Sequence, residues 1–226
     1  MRILFISDIH ANLEALLTLE NYIQSADMTI CLGDIVGYHC HVNEVIELLI
    51  KHNVVCIQGN HDRYLFEGLE NQTKVINDSV RFGLEVANKI ITFENQLWLK
   101  GLPISIGLNV DNLSILCCHG SPWNPTNGYV YEDSTQFLQM ENFQYDYIAL
   151  GHTHRQFIKY GKLVIFNPGS VGQARDREGI VCAKILDTLS KEFEDIYINY
   201  DFQKEIDYSK KCGAKDWIYK HFQTVL

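Results

Sequence analysis

Side chains that bind metal ions follow five short apolar runs in this sequence, each close behind the end of its run. Aspartate carboxylates, histidine imidazoles and asparagine amides are ligands of divalent ions such as Mn²⁺, Fe²⁺ and Zn²⁺. Each motif alone is typical of an ordinary turn or loop, so only their joint occurrence predicts a ligand-binding site. The side chains concerned are Asp8, His10, Asp34, Asn60, His61, His119, His152 and His154.

The apolar runs themselves are typical of buried strands, and stretches with helical spacing separate the first three. Residues 3–6, 28–32 and 54–57 are largely apolar, whereas apolar residues recur every three or four positions over 13–23 and 42–49. This β-α-β-α-β order predicts a parallel sheet with right-handed crossovers. Ligands of such sheets bind beyond the carboxyl ends of the strands, so we expect the polar side chains to gather at one sheet edge.

Beyond residue 60 the pattern predicts more helices, a hairpin and five further strands. The stretch 121–132 is rich in Pro, Asn, Gly and Tyr and is predicted to be a loop. Helices are predicted at 73–91, 93–100 and 134–143, the hairpin at 104–108 and 113–118, and the strands at 147–150, 156–160, 163–166, 180–186 and 193–198.

The C-terminal residues, about 203–226, are predicted to form a helical segment packed on the rest of the chain. This spacing places Ile218, Phe222 and Val225 on one helical face. We find no internal repeat and no linker, which favours a single domain over residues 1–226.

Composition narrows the functions that the chain can have. It has 226 residues, 46% of them apolar, and a formal charge of −9. It can therefore build a core, and an acidic surface argues against broad binding to nucleic acid or anionic membranes. Seven cysteines without a Cys-x-x-Cys pair favour buried small hydrophobic residues in a reducing cytoplasm over disulfides or a zinc site. No run reaches the roughly 18 apolar residues of a membrane helix, so we expect a cytoplasmic protein.

Taken in order, the polar motifs resemble the signature of the calcineurin-like metallophosphoesterases. The resemblance covers roughly residues 1–186 and is closest to the small single-domain bacterial and archaeal phosphodiesterases. Those proteins also carry an Asn-Pro-Gly-Ser-x-Gly segment, here residues 167–172. The matching blocks are Asp8-Ile-His10, Gly33-Asp34, Gly59-Asn60-His61-Asp62, His119-Gly120 and Gly151-His152-Thr-His154.

The resemblance implies an α/β fold, a four-layer α/β/β/α sandwich of two mixed sheets, with two metal ions at its edge. Asp34 would bridge the two ions. His61 would stand near the leaving group of the substrate without binding metal. Asp62 is a candidate to orient His61 by a hydrogen bond, and it is equally typical of an aspartate that caps a loop. The first ion would be held by Asp8, His10 and His154, and the second by Asn60, His119 and His152.

Elementary chemistry agrees with such a pair of ions. A bridging carboxylate offsets the repulsion between two divalent ions about 3.5–4 Å apart, and the ions activate a shared hydroxide. We therefore expect hydroxide to attack phosphorus in line while His61 protonates the leaving alkoxide or stabilises it electrostatically. The ligand set suits manganese as the first choice, with iron, zinc, nickel or cobalt as alternatives.

Two departures from related enzymes bear on the substrate. Protein Ser/Thr phosphatases of the superfamily carry an arginine after Gly-Asp and another before Gly-Asn-His, whereas this chain has no arginine from Ile35 to Tyr38 and has Gln58 before Gly59. Arginine is the side chain best suited to bidentate phosphate binding. Its absence favours a phosphodiester substrate. Arg63, Arg175 and Arg177 are candidates to replace it, although each is also typical of a solvated surface charge.

Aromatic residues follow His119 in the 121–132 loop. Trp123, Tyr129 and Tyr131 can form a wall for a nucleobase or aryl group, or they can pack on the domain or on a second copy of the chain. Tyr38 is a weaker candidate for the same wall. We expect a small phosphorylated substrate of nucleotide-derived type and take Arg63, Trp123, Tyr129 and Arg175 as its candidate contacts.

Other functions stay open on the sequence. A phosphomonoesterase, a protein Ser/Thr phosphatase or a dinucleoside polyphosphate hydrolase would use similar chemistry. A eukaryotic trafficking subunit with this fold acts as a scaffold after losing part of its metal set, but this chain keeps the full set. A protein that binds a phosphorylated ligand without turning it over would keep the set too. A nuclease is disfavoured by the charge of −9 and the lack of a basic stripe.

Overall fold

The first of two five-stranded sheets carries the parallel strands predicted from the sequence. The computed structural model of the protein describes residues 1–68, 76–177 and 179–215. Within the first sheet β1 pairs in parallel with β2, and β2 with β3, which confirms the predicted order. The sheet has the order β10-β9-β1-β2-β3 and contains β1 (Arg2–Ile6), β2 (Met28–Cys31), β3 (Val55–Cys56), β9 (Ile180–Asp187) and β10 (Phe193–Asn199).

The second sheet contains the predicted hairpin. Its order is β4-β5-β6-β8-β7, with β4 antiparallel to β5, and with β5, β6 and β8 parallel to one another. In the first sheet β9 is antiparallel to both β1 and β10, so both sheets are mixed. The strands are β4 (Ser105–Val110), β5 (Leu113–Cys118), β6 (Tyr147–Ala149), β7 (Gln156–Tyr160) and β8 (Val164–Pro168).

Apolar clusters hold the layers together. Between the sheets, Phe5 of β1 meets Phe166 of β8 edge to face, with ring centroids 4.9 Å apart. The outer face of the first sheet packs against helices, and that of the second sheet packs under the short helix α7 and the residues that precede it. The result is the four-layer α/β/β/α sandwich. The helices are α1 (Leu13–Leu17), α2 (Glu20–Ser25), α3 (Val42–Lys51), α4 (Asn60–Glu67), α5 (Asp78–Ile90), α6 (Phe93–Gly101), α7 (Phe137–Met140) and α8 (Phe202–Lys211).

Three predicted helices differ in the structure. The helix predicted over 13–23 breaks in two at Thr18, whose hydroxyl donates to the Ala15 carbonyl and so competes with the helical backbone. The helix predicted over 134–143 is reduced to the four residues of α7. Of the helix predicted over 73–91, residues 73–75 lie outside the described residues, and α5 begins after Asn77, whose side chain caps it by accepting from Val80 N–H.

The C-terminal helix α8 packs on the loop that follows Asp34. The buried Glu205 carboxylate lies 2.9 Å from His41 Nδ1 and 3.7 Å from His39 Nδ1. Ile218, Phe222 and Val225 lie outside the described residues, so their shared face and the single-domain organisation over residues 1–226 stay predictions.

Most cysteines lie in the interior of the protein. All seven cysteines are free thiols, and only Cys212 is not buried. None of the helices in the described ranges combines the length and apolar character that crossing a membrane requires.

Candidate metal centre

Ligand side chains from both sheets meet at one edge of the sandwich. Asp8, His10, Asp34 and Asn60 follow strands of the first sheet, whereas His119, His152 and His154 follow strands of the second. All seven are buried, with at most 5% of their surface exposed.

The backbone that carries these ligands is unusual. Five of the seven have φ in the left-handed region, from 54° to 67°. For residues other than glycine this conformation costs on the order of 1–3 kcal/mol and persists only when the surroundings enforce it. It turns successive side chains of each loop inward. The five residues are Asp8 (55°), His10 (54°), Asp34 (54°), His152 (67°) and His154 (58°).

Residues 167–172 supply part of that enforcement. The Ser170 hydroxyl donates to the Asp8 carbonyl at 2.8 Å, and the Gly172 N–H donates to the same carbonyl at 3.0 Å. A Cβ atom on Gly172 would lie 2.0 Å from the Ile9 carbonyl oxygen, so only glycine allows this approach. The Asn167 amide donates to the Gly151 carbonyl, which holds the second loop in the same way. The segment thus fastens one ligand loop of each sheet.

The first ligand group contains Asp8, His10, Asp34 and His154. One ligand atom from each lies within 4.8 Å of the others. His154 Nε2 is 3.2 Å from Asp8 Oδ1 and 3.1 Å from His10 Nε2. His10 Nε2 is 3.9 Å from Asp34 Oδ2.

The second ligand group contains Asp34, His119 and His152, again within 4.8 Å of one another. His119 Nε2 lies 3.3 Å from Asp34 Oδ2 and 3.2 Å from Asn60 Oδ1, so Asn60 also reaches this group. Asp34 belongs to both groups. The groups bring together residues that the resemblance assigned to each ion, and their roles as ligands and as a bridge stay predictions.

Backbone carbonyls orient three of the imidazoles. Nδ1 lies 3.2 Å from the Val36 carbonyl oxygen in His10, and 2.8 Å from the Leu32 carbonyl oxygen in His119. In His154, Nδ1 lies 2.7 Å from the carbonyl oxygen of Gln173. A proton on Nδ1 satisfies each contact and leaves the Nε2 lone pair facing the ligand group. Such partners fix the tautomer of metal-binding histidines.

Buried atoms without partners show that the residues fit divalent cations. Asp8 Oδ1, Asp34 Oδ2 and His152 Nε2 are buried and have no hydrogen-bond partner. Leaving such atoms unpaired is costly, and cations bound at the two groups would satisfy all three. Carboxylate, imidazole and amide donors also suit the metals expected from the sequence.

The pKa values of three of these residues favour the protonation states that bind metal. Burial opposes ionisation of Asp34, yet His119, His61 and His10 hold its pKa well below the usual value. Burial likewise opposes ionisation of Asp8, whose pKa is lowered chiefly by His154. The pKa of His10 is well below its ordinary value because of burial and neighbouring imidazoles.

His119 and His152 behave in opposite ways. Burial lowers the pKa of His152 to about 3, so its imidazole is neutral. Burial also acts to lower the pKa of His119, but the carboxylates of Asp34 and Asp8 outweigh it and raise that pKa to about 10. A metal ion that binds His119 must therefore displace a proton.

His61 lies beside the ligand groups and under an aromatic ring. Its Nε2 is 3.8 Å from Asp34 Oδ2, and its Nδ1 has no hydrogen-bond partner. Tyr38 stacks on the imidazole, with centroids 5.3 Å apart and an interplanar angle of 23°. Helix α5 holds Tyr38 closely: a Cβ atom on Gly83 would lie 2.2 Å from Tyr38 N.

The expectation that Asp62 orients His61 by a hydrogen bond is wrong. Asp62 Oδ1 accepts from the N–H groups of Ile35 and Val36, at 2.9 and 3.0 Å, and Oδ2 accepts from Gly59 N–H at 2.9 Å. Burial and the nearby Asp34 raise the pKa of Asp62, while the backbone donors act in the opposite direction. Asp62 caps α4 and fastens the loop after Asp34 to that helix.

Two of the four candidate substrate contacts lie at the site. Arg175 and Tyr129 line the cavity above the ligand groups. The guanidinium of Arg175 lies 3.3 Å from the Tyr38 hydroxyl, and the Tyr129 ring lies 4.0 Å from that of His152. Tyr38, the weaker candidate, also lines this cavity.

The other two candidates point elsewhere. Arg63 pairs with Glu67, four residues along the exposed face of α4. Trp123 packs near Phe143, with ring centroids 6.3 Å apart, and is outside the residues that line the cavity. Side-chain direction in a loop or on a helix surface depends on such neighbours, which sequence spacing does not show.

Neither Arg177 nor Gln58 provides a replacement for the two phosphate-binding arginines of the protein Ser/Thr phosphatases. Arg177 lies over the Tyr197 ring, 4.1 Å from its centroid. Gln58 donates to the carbonyls of Leu99 and Lys100 in α6 and is turned away from the cavity. Among the three candidate arginines, only Arg175 lines the cavity.

Sequence reasoning missed Tyr64 and Asn77, which also line the cavity. Tyr64 lies one helical turn after Asn60 in α4, and its hydroxyl donates to Asn127 at 2.9 Å. The signal was the i, i+4 spacing, which becomes visible once the Gly59-Asn60-His61-Asp62 block is identified as a helix start. Asn77 is the cap of α5, a position that its polar side chain before an apolar run indicates.

Comparisons with known proteins agree with this geometry. A family model of the calcineurin-like phosphoesterase superfamily domain matches residues 1–191. The chain is therefore a member of the calcineurin-like phosphoesterase superfamily.

A curated relative and two solved structures resemble nearly the whole chain. The uncharacterized protein MJ0912 of Methanocaldococcus jannaschii is 32% identical over 233 residues, covering 94% of this chain and 93% of the relative. A metallophosphoesterase from Sphaerobacter thermophilus has a TM-score of 0.84 at 25% identity and covers 98% of both chains. The hypothetical protein PH1004 of Pyrococcus horikoshii has a TM-score of 0.83 at 20% identity, covering 98% of this chain and 97% of that one, and shows the shared fold.

Proposed function

We propose that this protein is a metal-dependent phosphoesterase that hydrolyses a phosphodiester. The observation that carries the proposal is the presence of two buried ligand groups that share Asp34. A pair of divalent ions, when bound, neutralises charge on the phosphoryl oxygens and lowers the pKa of water. We propose manganese as the first metal to test, with iron, zinc, nickel and cobalt as alternatives.

Different side chains at the cavity have different roles in the proposed hydrolysis. Hydrolysis forms a P–O bond to water oxygen and breaks the P–O bond to the leaving alkoxide, which takes up a proton. His61 is the candidate proton donor because its imidazole lies against the cavity and is not tied to a hydrogen-bond partner at Nδ1. Tyr38 limits the motion of that ring by stacking on it. The in-line attack expected from the sequence stays a prediction.

A single arginine supports the diester over the monoester. A phosphomonoester is a dianion and benefits from several arginines, as in the protein phosphatases of the superfamily. The cavity here presents Arg175, while Gln58 is turned toward α6. A diester carries one negative charge and needs less compensation. Monoesters and dinucleoside polyphosphates are the competing substrates for the same chemistry.

The test is hydrolysis of bis-p-nitrophenyl phosphate by metal-stripped protein to which Mn²⁺ is returned. We expect turnover that depends on metal and exceeds that of p-nitrophenyl phosphate. Asp34→Asn should lower turnover by about 10³-fold or more, because both ligand groups lose their shared member. Asp207→Asn, which alters an exposed carboxylate of α8, is the matched control.

Three results would decide against the proposal. Preference for the monoester would favour a phosphomonoesterase. Metal binding without turnover of any ester would favour a protein that binds a phosphorylated ligand or serves as a scaffold. Equal activity in wild type and Asp34→Asn would assign the hydrolysis to a contaminant. A cytoplasmic location and assembly into a homo-oligomer stay predictions.

A further inference from the structure

Two cavities meet at Arg175. The inner cavity lies above the metal ligands and has a volume of about 130 Å³. The outer one is an open groove of about 910 Å³ along β7. Among the residues that line these two cavities, only Arg175 belongs to both.

The volumes assign different parts of a substrate to the two cavities. Small-molecule sites usually measure roughly 300–1,000 Å³. The inner cavity is below that range, so it suits a phosphoryl group and little more. The outer groove is within the range and begins at Thr153, which stands between His152 and His154. The larger part of a substrate whose phosphate lies in the inner cavity therefore has room in the groove.

The charges of the groove select against a further phosphate chain. Its basic side chains are Arg155, Lys159 and Arg175, and its acidic ones are Glu132, Asp133 and Asp176. Three positive and three negative groups cancel formally. A polyphosphate or a polynucleotide strand would gain no net attraction there. A neutral polar substituent suits this groove better.

A pair of stacked tyrosines connects the two cavities. Tyr129 lines the inner cavity and Tyr131 lines the groove, and their rings stack at a centroid distance of 6.1 Å with an interplanar angle of 11°. Tyr131 is 41% exposed. An exposed aromatic face of this kind is a surface on which a base or aryl ring can stack.

We propose that the outer groove is a subsite for a neutral, nucleoside-sized substituent of the diester, with its ring on Tyr131, while Arg175 contacts the phosphate at the junction. This inference rests on the proposed function and names the substrate class of the same site. It makes Arg175 and Tyr131 specificity-determining residues with separate tasks.

The test compares two ligands of similar charge that differ only in the nucleoside. Inorganic phosphate fills the inner cavity alone, whereas thymidine 5′-monophosphate also reaches the groove. Calorimetry on the manganese-loaded protein should show tighter binding of the nucleotide. Tyr131→Ala should weaken nucleotide binding about 10-fold and leave phosphate binding unchanged. Arg175→Ala should weaken both about 10-fold or more, because it removes a charge-assisted hydrogen bond.

Kinetics give a second readout, with p-nitrophenyl thymidine 5′-phosphate beside bis-p-nitrophenyl phosphate. Tyr131→Ala should raise KM more for the thymidine diester than for bis-p-nitrophenyl phosphate, because the nucleoside fills more of the groove than a nitrophenyl ring does. The matched controls are Tyr160→Ala, at the exposed end of β7, and Arg2→Ala, which pairs with Glu194 at the opposite end of β1. Neither residue lines the cavities.

The outcomes separate this inference from the proposed function. Nucleotide binding no tighter than that of phosphate, or unaffected by Tyr131→Ala, would overturn the subsite even if both diesters are hydrolysed. A preference for a dinucleoside tetraphosphate that Arg155→Ala abolishes would overturn its neutral character. Selective nucleotide binding without any hydrolysis would support the subsite while the proposed function fails.

Discussion

One carboxylate oxygen of Asp34 accepts a hydrogen bond from the backbone N–H of His61, at 2.8 Å. The other oxygen, Oδ2, lies 3.8 Å from the imidazole of the same histidine and faces the ligand groups. His61 therefore orients the shared ligand through its backbone and faces the cavity through its side chain. The two roles can be separated by mutation.

The His61→Ala variant should bind the metal ions as wild type does but have a lower turnover number. The backbone N–H of residue 61 still donates to Asp34. Metal content measured by inductively coupled plasma emission spectroscopy should therefore match wild type. The turnover number should fall about 10²–10⁴-fold, which is the usual contribution of proton transfer. The loss should be smaller for a p-nitrophenyl leaving group than for an alkyl one, because nitrophenolate needs less protonation.

An equal loss for both leaving groups would contradict proton donation by His61 and leave it a purely electrostatic role. Loss of metal would show that the imidazole is itself a ligand. His52→Ala, at the C-terminal end of α3, is a matched histidine control.

Asp62→Asn should destabilise the protein more than it slows the reaction. The asparagine amide nitrogen cannot accept from a backbone N–H, so at least one of the three donors that face Asp62 loses its partner. A buried unpaired donor costs about 1–3 kcal/mol. Urea unfolding should show this decrease in the free energy of unfolding, with Asp207→Asn as control. A turnover loss above about 10²-fold at unchanged stability would instead place Asp62 in the chemistry.

Gly83→Ala in α5 should displace Tyr38 and so disturb the wall of the inner cavity. A Cβ atom there would lie 2.2 Å from Tyr38 N, so the loop that carries Tyr38 must move away from α5. We expect a loss of about 1–3 kcal/mol in the free energy of unfolding and a higher KM. Gly101→Ala in α6 is the matched control, since nothing lies within 4 Å of its added methyl group, and it should be neutral or slightly stabilising. Unchanged KM in Gly83→Ala would show that Tyr38 tolerates displacement.

The stability of the protein should fall as pH rises above neutrality, in part through His41. Burial acts to lower the pKa of His41, but Glu205, Glu44 and Glu14 outweigh it and raise that pKa above the unfolded value of 6.5. The ring of Tyr208 stacks on the His41 imidazole, with ring centroids 3.6 Å apart. The stabilisation is thus complete below about pH 6.5 and is lost as pH rises through the folded pKa.

Urea unfolding at a series of pH values checks this prediction. His41→Gln should flatten the fall of the unfolding free energy above about pH 6.5. A wild-type slope in His41→Gln would assign the dependence to other groups.

The sequence predicted the placement of the ligands better than the surroundings of the substrate. Asp8 and Asp34 follow strands whose buried, apolar character is visible in the sequence, and parallel pairing then brings strand ends together. Arg63 and Trp123 could not be placed, because Glu67 and Phe143 decide their directions. Whether a side chain on an exposed helix or loop faces a cavity depends on contacts that are local in space and not in sequence.

The start of helix α4 also depends on contacts between residues that are distant in sequence. Its first residues, Asn60 to Asp62, are polar, and their local pattern alone is typical of an ordinary turn or loop. The helix begins there because Asp62 accepts from the Gly59 N–H and from the loop after Asp34. Long-range capping of this kind outweighs the weak local helix preference of Asn, His and Asp.

The origin of the ligands in both sheets has a consequence for how the molecule folds and opens. A pair of ions bound by Asp8 and His10 of one sheet and by His119 and His152 of the other would cross-link the two sheets. The complete site exists only after the sheets have docked, so metal capture belongs to the last stage of folding. Stripping the metal should therefore lower the free energy of unfolding and speed proteolysis and hydrogen exchange, while the apolar cluster between the sheets remains.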